Sequence, residues 1–295
     1  MTLRKSIAAT ARATVGPALT GRVGGALDDS LLLCSYLSSS WGRESAHRLA
    51  GMRDRHLGKR AFIIGNGPSL KGMDLSPLAH EYTFGANRIY LAFDDLGFHT
   101  TFLSAIAVEI IEQFGSEMAR TPCEVFMSHK YARFENLPST VTAFLARRGP
   151  HFGTHPTRWG FYEGATVTHF SMQLAYYFGF TEVVLVGVDH SFVETGVVAA
   201  QTLPQDADDL RPAVVVSHGD DPNHFTPGYF GKGVKWQLPD WQQMELAYTR
   251  TRATYERAGR TIVDATVGGK LTIFPKVEYA DAISNSRPLH QLVNP

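Results

Sequence analysis

The segment AFIIGNGPSL, residues 61–70, carries the first clear indication of the fold class. It opens with four consecutive apolar residues, which indicate a short strand buried on both faces. The GNGPS turn that follows, residues 65–69, contains glycines that permit positive φ and a close backbone approach. Backbone amides in such a loop can face a phosphate. The spacing matches neither a Walker A loop nor GxGxxG, so a tight turn without a ligand is an equal alternative.

Outward from this stretch, short apolar runs alternate with helical patterns. Strands are predicted at residues 82–84, 101–103, 124–127, 182–186 and 261–263, and helices at 166–178 and 240–258. Strands that alternate with helices indicate an α/β fold with a mostly parallel, Rossmann-like sheet flanked by helices. Ligands of such sheets bind beyond the carboxyl ends of the strands.

The flanking segments differ in texture from this core. Residues 1–58 are rich in Ala, Leu and Arg and predict a helical N-terminal extension. The core domain is assigned to residues 59–280, and a tail to residues 281–295. Within the core, residues 194–233 are rich in Asp, Pro, Gly and His with little periodicity, which predicts a lid over the site.

The composition is that of an ordinary globular chain. Of its 295 residues, 44% are hydrophobic, and 28 Lys and Arg balance 28 Asp and Glu. A neutral chain argues against a nucleic-acid partner, which usually needs a basic excess. The 12 histidines stand outside that balance, and each can act as an acid or base near neutral pH.

Two cysteines far apart, Cys34 and Cys123, form neither a disulfide framework nor a zinc motif. No apolar run is long enough to span a membrane, and Arg12 interrupts what would be the core of a signal peptide. We therefore expect a cytoplasmic protein. The N-terminal helices could also touch the inner face of the membrane, although a solvated helix is the simpler expectation.

Three further motifs follow predicted strands or lie in the predicted lid. Asn87 offers a donor and an acceptor to a base or sugar, and Arg88 could meet a phosphate; a turn residue and a surface arginine are the alternatives. Asp189 and His190 form a candidate acid–base pair at a strand tip, unless Asp189 only caps a turn. In the lid, His224 stands among aromatic residues, which suits a general base.

Two adjacent acids in the lid, Asp220 and Asp221, could bind a metal. Adjacent acids are also common in solvated loops, and Asp208-Asp209 is a similar pair without an evident role. His151 and His155 have helical spacing, but Gly153 and Pro156 argue against a helix there. No metal site is predicted.

Taken together, these motifs resemble a known grouping. FIIGNGPSL at 62–70, FGANRIY at 84–90, LVGVDHS at 185–191 and NHF at 223–225 look like the family of 6-hydroxymethylpterin pyrophosphokinase (MptE-like) and of the Maf glycosyltransferases. The same order of motifs is similar to that of the Campylobacter-type bacterial sialyltransferases. The resemblance covers about residues 59–275 and implies a GT-A-variant, sialyltransferase-like fold.

The resemblance also implies a function and the residues that perform it. An inverting glycosyltransferase would move a nonulosonic or ulosonic acid from a CMP-activated donor to a surface glycan, without a metal or other cofactor. His224 would be the general base, with Asp189 and His190 as further catalytic candidates. The implied donor-binding residues are Gly65, Asn66, Gly67, Pro68, Ser69, Asn87, Arg88, Glu163, Gly164 and Ser191.

The chain departs from that pattern in places. Ser191 stands where the sialyltransferases have a tyrosine that supports the leaving phosphate, and Arg158 is only near the place of their arginine. Two alternatives therefore stay open. One is a pyrophosphokinase of the pterin type, which would need Mg²⁺ held by Asp189, Asp220 and Asp221. The other is a nucleotide-binding protein without catalysis.

Overall fold

A seven-stranded parallel sheet forms the centre of the protein in a computed structural model that describes residues 33–129, 138, 140–193, 201–202, 213–284 and 288–293. The strands are β1 (Arg60–Ile64), β2 (Tyr82–Ala86), β3 (Phe102–Ala105), β4 (Glu124–Ser128), β5 (Val141–Phe144), β6 (Ala146–Arg147), β7 (Phe161–Tyr162), β8 (Glu182–Val186), β9 (Gln201–Thr202), β10 (Val214–Val216), β11 (Lys235–Gln237) and β12 (Thr261–Asp264). The central sheet has the order β12-β8-β1-β2-β3-β4-β5.

Helices cover both faces of this sheet. They are α1 (Ser40–Gly51), α2 (Phe93–Leu96), α3 (Val108–Met118), α4 (Pro156–Trp159), α5 (Val167–Tyr177), α6 (Trp241–Arg257), α7 (Tyr279–Ile283) and α8 (Leu289–Val293). Core residues of α5 and α6 pack in one hydrophobic cluster, and those of α3, α7 and α8 in another. The predicted α/β fold with a parallel sheet flanked by helices is confirmed.

Strand β1 shows why its sequence is apolar throughout. Ala61 and Ile63 belong to the first cluster, while Phe62 and Ile64 belong to the second. Successive side chains of a strand point to opposite faces, and here each face is covered by helices. An unbroken apolar run is the pattern that such a strand requires.

Helix α1 covers one edge of the sheet. Arg48 donates to the carbonyl oxygen of Val141 at 2.6 Å, and the amide of Ala143 donates to Ser45 Oγ at 3.1 Å. Tyr36 donates to the carbonyl oxygen of Ala143 at 3.2 Å. These side chains satisfy the outward backbone groups of β5, which would otherwise form an open edge. The described part of the predicted N-terminal extension therefore packs on the core; residues 1–32 lie outside the described ranges.

The predicted lid is only partly described. Its residues 213–233 contain β10, which pairs antiparallel with β9 and β11 in a small second sheet. Residues 194–200 and 203–212 lie outside the described ranges. Whether the segment moves as a lid stays a prediction.

The strand order sets the place of the site. From β1 the chain builds β2 to β5 on one side, and it then returns to add β8 and β12 on the other side of β1. Between β1 and β8 the loops therefore diverge to opposite faces of the sheet. A crevice at the carboxyl ends of two such strands is where open α/β sheets bind ligands.

Candidate functional site

A cavity of about 580 Å³ lies at this crevice, and its wall includes the loops that follow β1, β2 and β8. Most of the residues that the sequence predicted for the site line it, although they come from distant parts of the chain. These are Gly65, Asn66, Gly67, Asn87, Glu163, Asp189, His190, Ser191 and His224. Four of the predicted residues are outside the lining: Pro68, Ser69, Arg88 and Gly164.

The two glycines of the loop after β1 are required by close neighbours. A Cβ at position 65 would lie 2.3 Å from the carbonyl oxygen of Gly187, and one at position 67 would lie 1.7 Å from Asp189 Oδ2. The amide of Gly67 donates to the same carbonyl oxygen of Gly187 at 3.0 Å. The loop after β1 is therefore packed directly against the loop after β8.

Asp189 holds these two loops together. Its carboxylate accepts the Ser69 hydroxyl at 2.7 Å and the Ser69 amide at 3.1 Å. Both oxygens of Asp189 thus have a protein partner, and the hydroxyl hydrogen of Ser69 is used in the bond to Asp189. This geometry suits a structural clamp better than a general acid or base.

Within the described ranges, two asparagines present side-chain acceptors that no protein group satisfies. Asn66 donates from Nδ2 to the carbonyl oxygen of Ala86 at 3.0 Å, which fixes the orientation of its amide. Its Oδ1 is buried and has no hydrogen-bond partner among the described residues, and the same holds for Asn87 Oδ1. A ligand with hydroxyl or amino donors would satisfy such buried acceptors.

Arg88 is occupied within the protein. Its guanidinium donates to the carbonyl oxygens of Gly228 and Tyr229, and it lies 3.9 Å from the centre of the Phe114 ring. The arginine therefore fastens the loop that follows His224. A contact between Arg88 and a phosphate, expected from the sequence, stays a prediction that this arrangement does not favour.

His224 lies in a tightly bonded loop at the cavity wall. Its Nδ1 is 2.6 Å from Asp221 Oδ2, and its ring stacks on Tyr229 with centroids 4.0 Å apart. The amide of Phe225 donates to the carbonyl oxygen of Asn66 at 2.9 Å. That bond joins the loop of His224 to the loop after β1.

Burial of Tyr229 keeps its hydroxyl un-ionised. The side chain is fully buried, and desolvation raises the pKa of Tyr229 far above its ordinary value. The stacked ring therefore offers His224 a neutral aromatic face.

His190 lies elsewhere on the cavity wall. Its Nε2 is 3.1 Å from Glu245 Oε1, and its ring meets the edge of Trp241 at 4.8 Å. Its backbone has φ of 51°, an unusual value for a residue that is not glycine. The sequence predicted Asp189 and His190 as a pair, but their side chains have different partners, Ser69 and Glu245.

Glu163 and Gly164 lie just before α5. Their amides donate to the carbonyl oxygens of Arg147 and Gly149 at 2.9 and 3.2 Å, which extends the pairing of β7 with β6. Thr166 then caps α5 by accepting the Thr168 amide at 3.3 Å. The amino end of α5 thus contributes to the cavity wall.

Backbone strain concentrates at this cavity. Among the described residues, four that are not glycine have positive φ, and three of them, Asn87, Ala165 and His190, line the cavity. Strained backbone persists where the surrounding structure enforces it, and it clusters at functional sites. The cavity therefore has the character of a built site.

Sequence reasoning missed two features of the wall. One is the pairing of Asp221 with His224, since the two adjacent acids were considered only as metal ligands. The other is an apolar wall from Phe192, Phe230, Trp236, Trp241 and Tyr248. The sequence had related the aromatic residues near His224 only to the desolvation of that base, and no local signal placed Phe192, Trp241 and Tyr248 beside them.

Within the described part of the chain, no group of three or more His, Cys, Asp or Glu side chains is arranged to hold a metal. None of the helices that the structure describes has the length and apolar character needed to cross a bilayer.

No protein-family model and no curated protein matches the chain. Among solved structures, the chain is similar to the MAf glycosyltransferase from Magnetospirillum magneticum AMB-1, at 14% sequence identity and a TM-score of 0.45. The match covers 83% of this chain and 39% of that one. The chain thus spans well under half the length of that relative, and a likeness of this degree assigns neither an activity nor a site residue.

Proposed function

We propose that the protein is an inverting glycosyltransferase that uses a CMP-activated nonulosonic or ulosonic acid and a surface glycan acceptor. One observation carries the proposal: His224 and the first three residues of the GNGPS loop line one cavity, and the Phe225 amide joins the two loops by donating to the carbonyl oxygen of Asn66 at 2.9 Å. A base candidate and a phosphate-loop candidate thereby face the same cavity, which supports the proposal. The cavity of about 580 Å³ is within the usual size of small-molecule sites.

The reaction assigned to this site is a single displacement. His224 takes the proton from the acceptor hydroxyl as its oxygen attacks the anomeric carbon of the donor. The new carbon–oxygen bond forms while the bond from that carbon to the phosphate oxygen breaks, and CMP leaves with the electron pair. Attack opposite the leaving group inverts the anomeric centre. His224 then releases its proton to solvent.

The charges of the wall disfavour a ligand with several phosphates. Among the described lining residues, Arg148 is the one Lys or Arg, against the carboxylates of Glu163, Asp189 and Asp240. A triphosphate needs several cationic partners or a metal. The sequence offered three acids to Mg²⁺. Asp189 and Asp221 are bonded to Ser69 and His224, and Asp220 is exposed and outside the cavity lining. The pyrophosphokinase alternative therefore gains no support.

Nucleotide binding is the first test. The full chain is heated with CMP, CDP, UDP, GDP or ATP, and CMP is expected to raise the melting temperature most. A ligand at about 100 times its Kd stabilises the native state by about 2.7 kcal/mol. A shift by ATP with none by CMP would contradict the proposed donor.

Turnover is the second test. CMP release is measured from CMP-sialic acid and CMP-Kdo, with His224→Gln as the base variant. Loss of the base is expected to lower kcat about 10²- to 10⁴-fold. His218→Gln is the matched control, because His218 is exposed and does not line the cavity.

The other outcomes identify the alternatives. Equal activity in His224→Gln and the wild type would exclude the assigned base. Mg²⁺-dependent conversion of ATP to AMP with a hydroxymethylpterin would establish the pyrophosphokinase. CMP binding without turnover of either donor would favour a nucleotide-binding protein without catalysis.

A further inference from the structure

We propose that Asp221 is a positioning residue that fixes the tautomer and the ring plane of His224. The kinetic consequence rests on the proposed function, but the tautomer does not, since it is a property of the protein without substrate. Asp221 does not touch the substrate in this proposal. It acts through the imidazole.

The contact between the two side chains determines the tautomer. Asp221 Oδ2 lies 2.6 Å from His224 Nδ1, and the carboxylate is 5% exposed while the imidazole is 22% exposed. An ionised carboxylate can only accept a hydrogen bond, so Nδ1 must carry the hydrogen. In the neutral ring, Nε2 then holds the lone pair that a general base requires.

Asp221 is itself held in place by its own loop. The Asn223 amide donates to Oδ1 at 2.9 Å, and the Phe230 amide donates to Oδ2 at 3.1 Å. The Asp221 amide donates to the carbonyl oxygen of Pro227 at 2.9 Å. Both carboxylate oxygens therefore have fixed donors, and the direction of the bond to His224 follows from the fold of the loop.

Aromatic rings hold the plane of the imidazole. Tyr229 stacks on His224 with an interplanar angle of 9°, and Phe230 meets the ring edge-on at a centroid distance of 4.7 Å. Tyr229 is fully buried, and Arg88 binds its carbonyl oxygen. One hydrogen bond and two ring contacts thus leave His224 a single orientation, which is the condition for an efficient base.

The direct test observes the tautomer. The full chain, labelled with ¹⁵N in its histidines, is studied by NMR at a pH where His224 is neutral, and its signal is assigned by its loss in His224→Gln. We expect hydrogen on Nδ1 in the wild type. In Asp221→Asn the preference is expected to be lost, because an amide both donates and accepts. Hydrogen on Nε2 in the wild type, or an unchanged tautomer in Asp221→Asn, would overturn the proposal.

The kinetic test separates positioning from folding. With a donor that is turned over, Asp221→Asn is expected to lower kcat about 10²-fold or more with KM within about twofold. Asp220→Asn is the matched control, since Asp220 is exposed and outside the cavity lining. The double variant of Asp221→Asn with His224→Gln should be no slower than His224→Gln alone, because residues that act as a unit are not additive.

Two results would refute the kinetic role: a rise in KM with kcat unchanged, or full additivity in the double variant. If no donor is turned over, the proposed function fails, while the NMR result still decides the role of Asp221.

Discussion

Asp189 and Asp221 both accept hydrogen bonds beside the same cavity, yet they hold different kinds of partner. Asp189 binds the hydroxyl and amide of Ser69, and so joins two strand-end loops. Asp221 binds the imidazole of His224 and two amides of its own loop. The Ser69 hydroxyl has no other assigned role, so Asp189 acts as a clamp between the two loops. The His224 imidazole is the candidate base, so Asp221 belongs to the candidate chemistry.

Neither the residue type nor a position beside the cavity is enough to assign a role to an aspartate. Both aspartates belong to short polar motifs that also contain a histidine, and the sequence singled out Asp189 for catalysis. What separates them is the group at the other end of the hydrogen bond. Variants should therefore affect nucleotide binding and stability at Asp189, but turnover at Asp221.

The largest effect should come from breaking the clamp at its closest point. In Gly67→Ala the new Cβ would lie 1.7 Å from Asp189 Oδ2, so the two loops must separate. We expect a loss of about 3 kcal/mol in the free energy of unfolding, from overpacking, together with loss of CMP binding. Urea unfolding and the thermal-shift screen measure the two effects.

Gly72→Ala is the control for that variant. Gly67 precedes a short 3-10 helix, Pro68–Gly72, and Gly72 is the last residue of that helix. A Cβ added at position 72 would have nothing within 4 Å. It should change stability by no more than about 0.5 kcal/mol. Equal behaviour of the two variants would show that the loops are not in close contact.

A smaller effect should follow from weakening the clamp without a clash. Asp189→Asn removes the charge that strengthens both bonds from Ser69, and hydrogen bonds to charged groups contribute about 1.5–3 kcal/mol. We expect reduced stability and weaker CMP binding, with kcat at saturating donor nearly unchanged. Asp221→Asn should show the reverse pattern, and a fall in kcat for Asp189→Asn would end the distinction between the two aspartates.

The smallest effect is the pH dependence of the free energy of unfolding. It arises from His169, which lies outside the cavity lining, and it is therefore measured separately from any pH dependence of turnover at His224. His169 is fully buried between Thr251 Oγ1 at 2.8 Å and the carbonyl oxygen of His151 at 2.9 Å. Burial lowers the pKa of His169 to about 4 from an ordinary value near 6.5. The unfolded chain therefore takes up the proton first as the pH falls. Stability from this group is complete above about pH 6.5 and is lost between about pH 6.5 and 4.

Between pH 7.5 and 5 this one group should remove about 2 kcal/mol from the free energy of unfolding. Urea unfolding at both values measures it, and His169→Gln should show a dependence smaller by that amount. An identical pH dependence in the variant would refute the assignment. Burial also lowers the pKa of His129 to about 4. His129 therefore contributes to the loss of stability in the same pH range, equally in the wild type and in His169→Gln.

Much of the fold follows from local sequence. The six predicted strands are present with boundaries shifted by at most two residues, and both predicted helices are present as α5 and α6. The strand patterns are strong because strands buried on both faces are predominantly apolar. Several elements have no counterpart among the predicted ones, and β5 and α3 are those that complete the central layers. Strand β5 depends on α1 to cover its edge, and that support is not visible in the four residues of the strand.

The sequence predicted which residues belong to the site better than it predicted the contacts between them. Nine of the predicted residues line one cavity, because loops at the carboxyl ends of parallel strands meet. Arg88 was expected at a phosphate and instead holds a backbone loop. Its partners lie 140 residues away in sequence, which no local pattern reveals.

Local sequence accounts for the six predicted strands, the glycine turn and the polar residues at the strand ends, because burial and turn geometry are local demands on each residue. Which of those residues meet depends on the tertiary structure. The return of the chain to place β8 beside β1 brings Asp189 within 2.7 Å of a hydroxyl 120 residues away. The turn of one loop points Asp221, not its neighbour Asp220, at His224. A hydrogen bond depends on position and direction in space, and those are set by strand order and loop path.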